Sequence, residues 1–201
     1  MTTRRVVGPF NRVEGDLEVT LDITDGRVDA AFVNSPMYRG FEQILRGKHP
    51  LDALVYVPRI CGICSVAQSA ASAQALAHAM GLEAPDNGQL AANLTLAAEN
   101  LADHLSHFYL FFMPDFARAA YREKPWFFVT ESRFKAVKGG ATSDVLPARA
   151  RFMNLMGYLA GKWPHTLSLQ PGGSARPLEE AEQLRISILL TEFRAFLEHT
   201  L

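Results

Sequence analysis

The chain has few cysteines and almost no net charge, and these two shortages exclude several classes of protein. Its 201 residues include only two cysteines, which is too few for a secreted disulfide scaffold and is typical of a reducing compartment. The formal net charge is -1, so no excess of basic residues favours binding to nucleic acid or to an anionic membrane. We expect a cytoplasmic protein that has no nucleic acid partner.

Long apolar segments are also missing. The longest strongly apolar run, from Phe108 to Met113, is far too short to cross a bilayer, and the first residues lack the apolar centre of a signal peptide. The contents of 48% hydrophobic and 20% charged residues are those of a globular protein. The sequence therefore predicts a folded chain without a membrane span.

The first part of the chain, residues 1–60, has the pattern of strands and short helices. Apolar residues alternate from Leu17 to Ile23, which predicts a half-buried strand. Asp25-Gly26 suits a type I′ turn, and Arg27 to Val33 predicts the returning strand. We expect an antiparallel β-hairpin here.

The remainder, residues 61–201, has the pattern of long helices. The alanine-rich stretch from Ser65 to Met80 predicts a helix that ends at Gly81. We predict an α+β, mainly α fold, in which the hairpin precedes a helical bundle.

Prolines and aromatic residues suggest where the later elements begin and end. Asn87 to Met113 predicts a long helix that is stopped by Pro114. Pro147 suits the first turn of a helix that runs to Gly161. The segment from Trp126 to Val129 has the pattern of buried strand or loop.

The two cysteines form one motif, Arg59-Ile60-Cys61-Gly62-Ile63-Cys64, directly before the predicted helix. Residues three apart at the start of a helix can point to one side, so both sulfurs can reach one ion. The positive end of a helix also favours the thiolate form of a nearby cysteine, which is the form that binds metal or attacks disulfides. Whatever thiolate chemistry this chain performs must use this pair.

Four interpretations of the pair are open from the residues alone. Cys61 and Cys64 are buried structural thiols, a dithiol redox switch, half of a zinc site, or half of a metal centre whose other ligands lie outside these residues. No βαβ pattern of the thioredoxin kind precedes the pair, and none of the six histidines has zinc-finger spacing. These observations weigh against the redox switch and the zinc site, but they leave the choice open.

Further segments accompany the cysteine motif in a fixed order. They are Arg12-Val13-Glu14-Gly15, Tyr38-Arg39-Gly40-Phe41-Glu42, Ile44-Leu45-Arg46-Gly47, Pro50-Leu51-Asp52-Ala53 and His104-Leu105-Ser106-His107-Phe108-Tyr109. Together with the cysteine motif, these segments resemble the large subunit of nickel–iron hydrogenases at that family's spacing. The resemblance extends from Arg12 to Tyr109.

The resemblance implies a cofactor and a role for individual residues. In that family four thiolates from two CxxC pairs hold nickel, and two of them bridge to an iron that carries cyanide and carbon monoxide. Cys61 is implied as a terminal nickel ligand and Cys64 as a bridging one. Glu14 is implied as the carboxylate that carries away the proton of heterolytic H2 cleavage, and Arg59 as a cation beside the centre. Glu42 is implied as a ligand of a separate magnesium-type site.

Two positions depart from the family pattern. Glu14-Gly15-Asp16 stands where the family usually has Glu-Gly-His. Gln68 stands where a histidine usually follows the second cysteine, and its amide can donate to the sulfur of Cys64 but does not titrate. A glutamine at this position resembles the regulatory, hydrogen-sensing branch, which signals to a histidine kinase.

The chain has no second CxxC motif. The resemblance therefore implies that residues 1–201 are a single N-terminal portion of a large subunit, which is inactive without a C-terminal half and a small subunit that carries iron–sulfur clusters. We predict cleavage or sensing of H2 by the complete complex. The alternatives are an energy-conserving uptake hydrogenase, a thiol–disulfide protein that uses Cys61 and Cys64, and a non-catalytic assembly module.

Overall fold

The computed structural model describes residues 1–10 and 15–200, and it divides the chain into two compact units, Met1–Ile44 and Leu45–Leu201. Strands dominate the first unit and helices dominate the second. The predicted fold class, α+β and mainly α, is confirmed.

The first unit contains a three-stranded antiparallel sheet in the order β1-β2-β3. Its strands are β1 (Thr2–Phe10), β2 (Leu17–Thr24) and β3 (Arg27–Asn34). The predicted hairpin is formed by β2 and β3 and is confirmed. Asp25 and Gly26 connect the two strands with φ values of 49° and 78°, and positive φ at both central residues is what a type I′ turn requires.

Strand β1 is an addition to the predicted hairpin. It pairs with β2 from Thr2 opposite Thr24 to Val7 opposite Val19, and the register then shifts before Phe10. Its residues do not alternate in polarity, so periodicity alone does not indicate a strand. The Arg4 guanidinium donates to both carboxylate oxygens of Asp22 at 2.7 and 2.9 Å. These bonds join residues that lie opposite each other and favour this register of the two strands. The short helix α1 (Phe41–Ile44) follows the sheet.

The second unit consists almost entirely of helices. In chain order they are α2 (Ala53–Tyr56), α3 (Ser65–Met80), α4 (Asp86–Ser106), α5 (Met113–Phe116), α6 (Phe127–Phe134), α7 (Ala141–Phe152), α8 (Leu155–Ala160) and α9 (Glu180–His199). Single 3₁₀ turns lie at Pro50–Asp52, Val57–Arg59 and Ala119–Tyr121, and a small hairpin pairs β4 (Leu169–Gln170) with β5 (Gly173–Ser174). Helix α3 has its predicted bounds and ends at Gly81, whose φ is 66°.

The core of this unit lies between α4, α7, α8 and α9. Leu105, Phe152, Met156 and Leu189 are among its buried side chains, and Val66 of α3 joins them. The rings of Phe152 and Phe193 stack with their centroids 4.0 Å apart. Because Val66 is completely buried, the core fixes the first turn of α3, which directly follows the cysteine motif.

Two boundaries predicted from proline are wrong. Helix α4 continues as the π-helical segment His107–Phe112, and Pro114 lies in the first turn of α5, where a missing N–H leaves no hydrogen bond unmade. Pro147 does not begin a helix but lies inside α7, which starts at Ala141, and the stretch up to Gly161 is divided between α7 and α8. Both prolines are therefore accommodated within helical segments.

The strand or loop predicted from Trp126 to Val129 is also wrong. Phe127 begins helix α6 and is 1% exposed. Burial of this ring outweighs the strand preference of aromatic residues. Across residues 1–10 and 15–200, none of the helices combines the length and the apolar character that a membrane crossing needs.

Candidate metal centre

Cys61 and Cys64 lie in a short loop between the 3₁₀ turn Val57–Arg59 and helix α3. Their Cα atoms are 5.5 Å apart, and their two Sγ atoms are joined as a disulfide. Cys61 is 7% exposed, and its sulfur accepts the backbone N–H of Cys64 at 3.2 Å. The loop therefore brings both sulfurs to one place, where the reduced pair offers two thiolates to a single ion. Their roles as nickel ligands stay a prediction.

Gln68 lies on the first turn of α3, four residues after Cys64. Its amide Nε2 donates to the Sγ of Cys64 over 3.9 Å. Residues four apart on a helix face the same side, so this contact follows from the helix itself. The amide thus reaches the sulfur that the family resemblance assigns as the bridging ligand.

His165 closes the cysteine loop from a distant part of the chain. Its backbone N–H donates to the Oγ of Ser65 at 3.1 Å, and its Nδ1 lies 2.9 Å from the carbonyl oxygen of Pro58. Because a carbonyl oxygen only accepts, Nδ1 carries the proton of that bond. Gly62 faces the imidazole, since a Cβ at Gly62 would lie 3.9 Å from both Cε1 and Nε2. One histidine therefore contacts both ends of the loop and lies beside its middle.

Glu99 of α4 is a buried carboxylate at the start of α3, and it is 3% exposed. One of its oxygens accepts the backbone N–H of Val66 and the indole N–H of Trp163, each at 2.9 Å. The other oxygen accepts the backbone N–H of Ala67, also at 2.9 Å. The first N–H groups of a helix have no partner within the helix, and its positive end favours an anion, so a carboxylate is well suited to this place.

Neither Glu99 nor His165 was singled out from the sequence. A signal for Glu99 is present, because it is a charged residue on the same stripe of α4 as the buried Thr95, Ala98 and Ala102. A buried carboxylate without partners is costly, so such a position indicates specific hydrogen bonds. For His165 the sequence gives no comparable signal, since its partners are far away along the chain.

The described structure does not test the roles of the other predicted site residues. Arg59 is exposed at the end of its 3₁₀ turn, and Glu42 is exposed in the first turn of α1, in the other unit. Glu14, with Arg12 and Val13, lies outside the described residues. The roles predicted for Arg59, Glu42 and Glu14 therefore stay predictions.

The donor set fits part of a thiolate-bound metal centre and not a complete one. Within the described residues, histidine, cysteine, aspartate and glutamate side chains form no group of three or more that could hold a metal ion. The cysteine pair supplies two soft ligands, which suit nickel and low-spin iron, and any further ligands must come from elsewhere.

Comparison with known proteins gives a consistent match over this region. The family described as nickel-dependent hydrogenase matches residues 39–123, which include both cysteines. The periplasmic [NiFeSe] hydrogenase large subunit of Desulfomicrobium baculatum is 31% identical over 182 residues, covering 84% of this chain and 35% of that protein. The matching chain of the F420-non-reducing hydrogenase vhc of Methanococcus voltae is 30% identical over 207 residues, covering 99% of this chain and 42% of that protein.

The fold agrees with that of a solved relative. The reduced Ni-Fe-Se hydrogenase from D. vulgaris Hildenborough superimposes with a TM-score of 0.76 at 30% identity, over 99% of this chain and 43% of that one. The chain thus spans less than half the length of the relatives it matches. None of these three proteins is named as a hydrogen sensor, so the sensing branch is supported by Gln68 alone.

Proposed function

Since the chain matches the N-terminal portion of a nickel-dependent hydrogenase large subunit in sequence and in fold, we propose that Cys61 and Cys64 are two of the thiolate ligands of a nickel–iron centre that cleaves H2. The observation that carries the proposal is the convergence of the two sulfurs in a short loop at the start of α3, where Cys61 is buried.

The centre, when bound, supplies heterolytic cleavage of H2. The residues of this chain bind the centre, move the proton and balance the charge. Cys61 and Cys64 provide the thiolates, and the N–H groups of Cys64 and Gln68 that point at these sulfurs reduce their excess negative charge. Glu14 receives the proton and passes it outward, and Arg59 balances the charge of the thiolates. Glu42 contributes an oxygen ligand to a separate magnesium site.

The remaining parts of the site belong to other segments and chains in this proposal. A second CxxC pair supplies two more thiolates, and cyanide and carbon monoxide complete the iron. A small subunit with iron–sulfur clusters accepts the electrons one at a time, and the assembly lies in the cytoplasm. These residues alone are inactive, because two thiolates do not hold a bimetallic centre.

Elemental analysis and infrared spectroscopy of the complete complex test the proposal. We expect nickel and iron in the purified protein, together with the infrared bands of diatomic iron ligands. Cys61→Ser and Cys64→Ser should each lower the nickel content about tenfold or more, because a hydroxyl is a poor replacement for a thiolate at a soft metal. Ile63→Ala, a change of an exposed side chain between the two cysteines, is the matched control and should retain nickel.

Two results would contradict the proposed function. One is nickel retained at the wild-type level in both serine variants. The other is a complete complex without nickel or iron, in which Cys61 and Cys64 cycle reversibly between dithiol and disulfide. The second result would establish the thiol–disulfide alternative.

Hydrogen sensing through a histidine kinase is a second candidate, and the contact between the Gln68 amide and the Cys64 sulfur favours it. A glutamine donates to the sulfur at every pH, whereas a histidine changes charge near neutrality. Gln68→His should therefore change the rate of H2 turnover or its inhibition by oxygen by about tenfold, the range that partners of metal ligands typically control. Gln74→His, an exposed change further along α3, is the control. If the Gln68 variant matches the wild type, the residue has no such role and the uptake function is favoured.

A further inference from the structure

We infer that Glu99 is a positioning residue for the cysteine loop. Its carboxylate joins the first turn of α3 to the indole of Trp163, and this bracing holds Cys61 and Cys64 where they can share one ion. The inference rests on the proposed function only for the identity of that ion.

The burial and the partners of Glu99 point to a bracing role. The side chain is 3% exposed and lies on a buried stripe of α4. Among the residues that the structure describes, its hydrogen-bond partners are the N–H groups of Val66, Ala67 and Trp163. A charge removed from water is costly unless it is hydrogen-bonded, so Glu99 needs all three partners. Because one carboxylate accepts all three bonds, the positions of the three donors depend on one another.

The bonds of Glu99 connect segments that are far apart in sequence. Val66 is 33 residues from Glu99 and Trp163 is 64 residues from it. A local cap fixes only the end of a helix, whereas these bonds fix the start of α3 against α4 and against the loop at Trp163. Since Cys64 is the residue directly before α3, its backbone position depends on the first turn that Glu99 holds.

The segment that follows Trp163 also contacts the cysteine loop. His165, two residues further on, contacts the Pro58 carbonyl and the Ser65 hydroxyl at the two ends of the cysteine loop. The Thr166 hydroxyl donates to the Ala160 carbonyl at 2.7 Å and anchors the same segment. Loss of Glu99 therefore releases both the start of α3 and one anchor of the segment that carries His165.

Alkylation of the reduced, metal-free large subunit tests this role without using hydrogenase activity. The probe is iodoacetamide, and peptide mass spectrometry reports the separate rates at Cys61 and Cys64. In Glu99→Ala we expect the buried Cys61 to react about tenfold faster, because loss of a charged hydrogen-bond partner raises the population of locally opened loop. Glu99→Gln should give an intermediate rate, since an amide oxygen still accepts from Val66 but its NH2 group faces the N–H of Ala67.

Glu179→Ala provides the matched control. The Glu179 carboxylate also binds the first turn of a helix, in the capping box of α9, but it lies outside the cysteine loop and its surroundings. We expect wild-type alkylation rates at both cysteines in this variant. A second readout is the infrared spectrum of the metal-loaded complex, in which the diatomic bands should shift in Glu99→Gln and stay in place in Glu179→Ala.

Each outcome decides for or against the positioning role. Wild-type rates in Glu99→Ala, or an equal acceleration in Glu179→Ala, would overturn it. If Glu99→Ala does not fold, Trp163→Phe removes one donor and keeps a ring in place, and an unchanged rate at Cys61 in that variant would overturn it as well. Because the alkylation needs no nickel, absence of nickel from the complete protein would refute the proposed function and leave this result standing.

Discussion

The sheet unit and the helical unit are stabilised in different ways. In Met1–Ile44 none of the described residues is buried, and strands β1 and β3 are exposed along most of their length. In Leu45–Leu201 a cluster of buried side chains connects α3, α4, α7, α8 and α9. The sheet is specified by turns, register and cross-strand pairs, whereas the helices are specified by what they bury. Substitutions in the two units should therefore lower the free energy of unfolding by different amounts.

Deletion of a core ring should have the largest effect. Phe152 is 1% exposed and stacks on Phe193, so Phe152→Ala should lower the free energy of unfolding by about 3–5 kcal/mol. Phe32→Ala, at a position of β3 that is 53% exposed, is the counterpart in the sheet and should cost about 1 kcal/mol or less. Denaturant unfolding followed by circular dichroism measures both, and equal losses would contradict the distinction between the units.

Substitution of Gly173 or Gly26 by alanine should also lower the free energy of unfolding, by a smaller amount. Both glycines have positive φ. At Gly173 a Cβ would lie 2.5 Å from the backbone carbon of Gly88, so both strain and overlap disfavour it, and we expect a cost of about 3 kcal/mol. At Gly26, in the turn of the hairpin, nothing lies within 4 Å of the added Cβ, and only the strain of positive φ remains, at about 1–2 kcal/mol. Thermal unfolding of the two variants measures both losses of stability. A larger loss in Gly26→Ala than in Gly173→Ala would contradict the prediction.

The smallest effect should be the loss of stability at low pH, which arises from one surface carboxyl in each unit. The backbone N–H of Glu179 and then the Arg176 guanidinium hold the pKa of Glu182 below its ordinary value, and the Arg4 guanidinium does the same for the pKa of Asp22. A carboxyl with a lowered folded-state pKa adds stability above its unfolded-state pKa, and this stability is lost as the pH falls through the folded-state pKa.

The two carboxyls can be separated by substitution. Glu182→Gln should flatten the acid limb of the stability profile measured at α9, and Asp22→Asn should flatten the limb measured at β1 and β2. Amide hydrogen exchange, corrected for its intrinsic pH dependence and followed from neutral pH downward, gives the two profiles. Unchanged acid limbs in both variants would show that these pairs add nothing to stability.

The sequence alone predicted the elements that local chemistry specifies. The hairpin of β2 and β3 follows from alternation and from Asp25-Gly26, and helix α3 follows from its alanines and from Gly81. These signals lie within a few residues of the structure that they produce. The same is true of the sulfur pair, since three-residue spacing at a helix start allows Cys61 and Cys64 to come together.

The errors lie where packing outweighed a local preference. Pro147 stays inside α7, and the aromatic segment after Trp126 is helical, because buried neighbours stabilise helix at both places. No window of sequence shows which distant side chain will cover a residue.

The sequence by itself determined which atoms are available for chemistry in this chain: two thiolates three positions apart, at the start of a helix, followed by the Gln68 amide. Only the tertiary structure decided what holds them, namely Glu99 on the first turn of α3 and His165 across the ends of the loop. The physical reason is that hydrogen bonds over many residues depend on how the chain packs, and packing is a property of the whole folded unit.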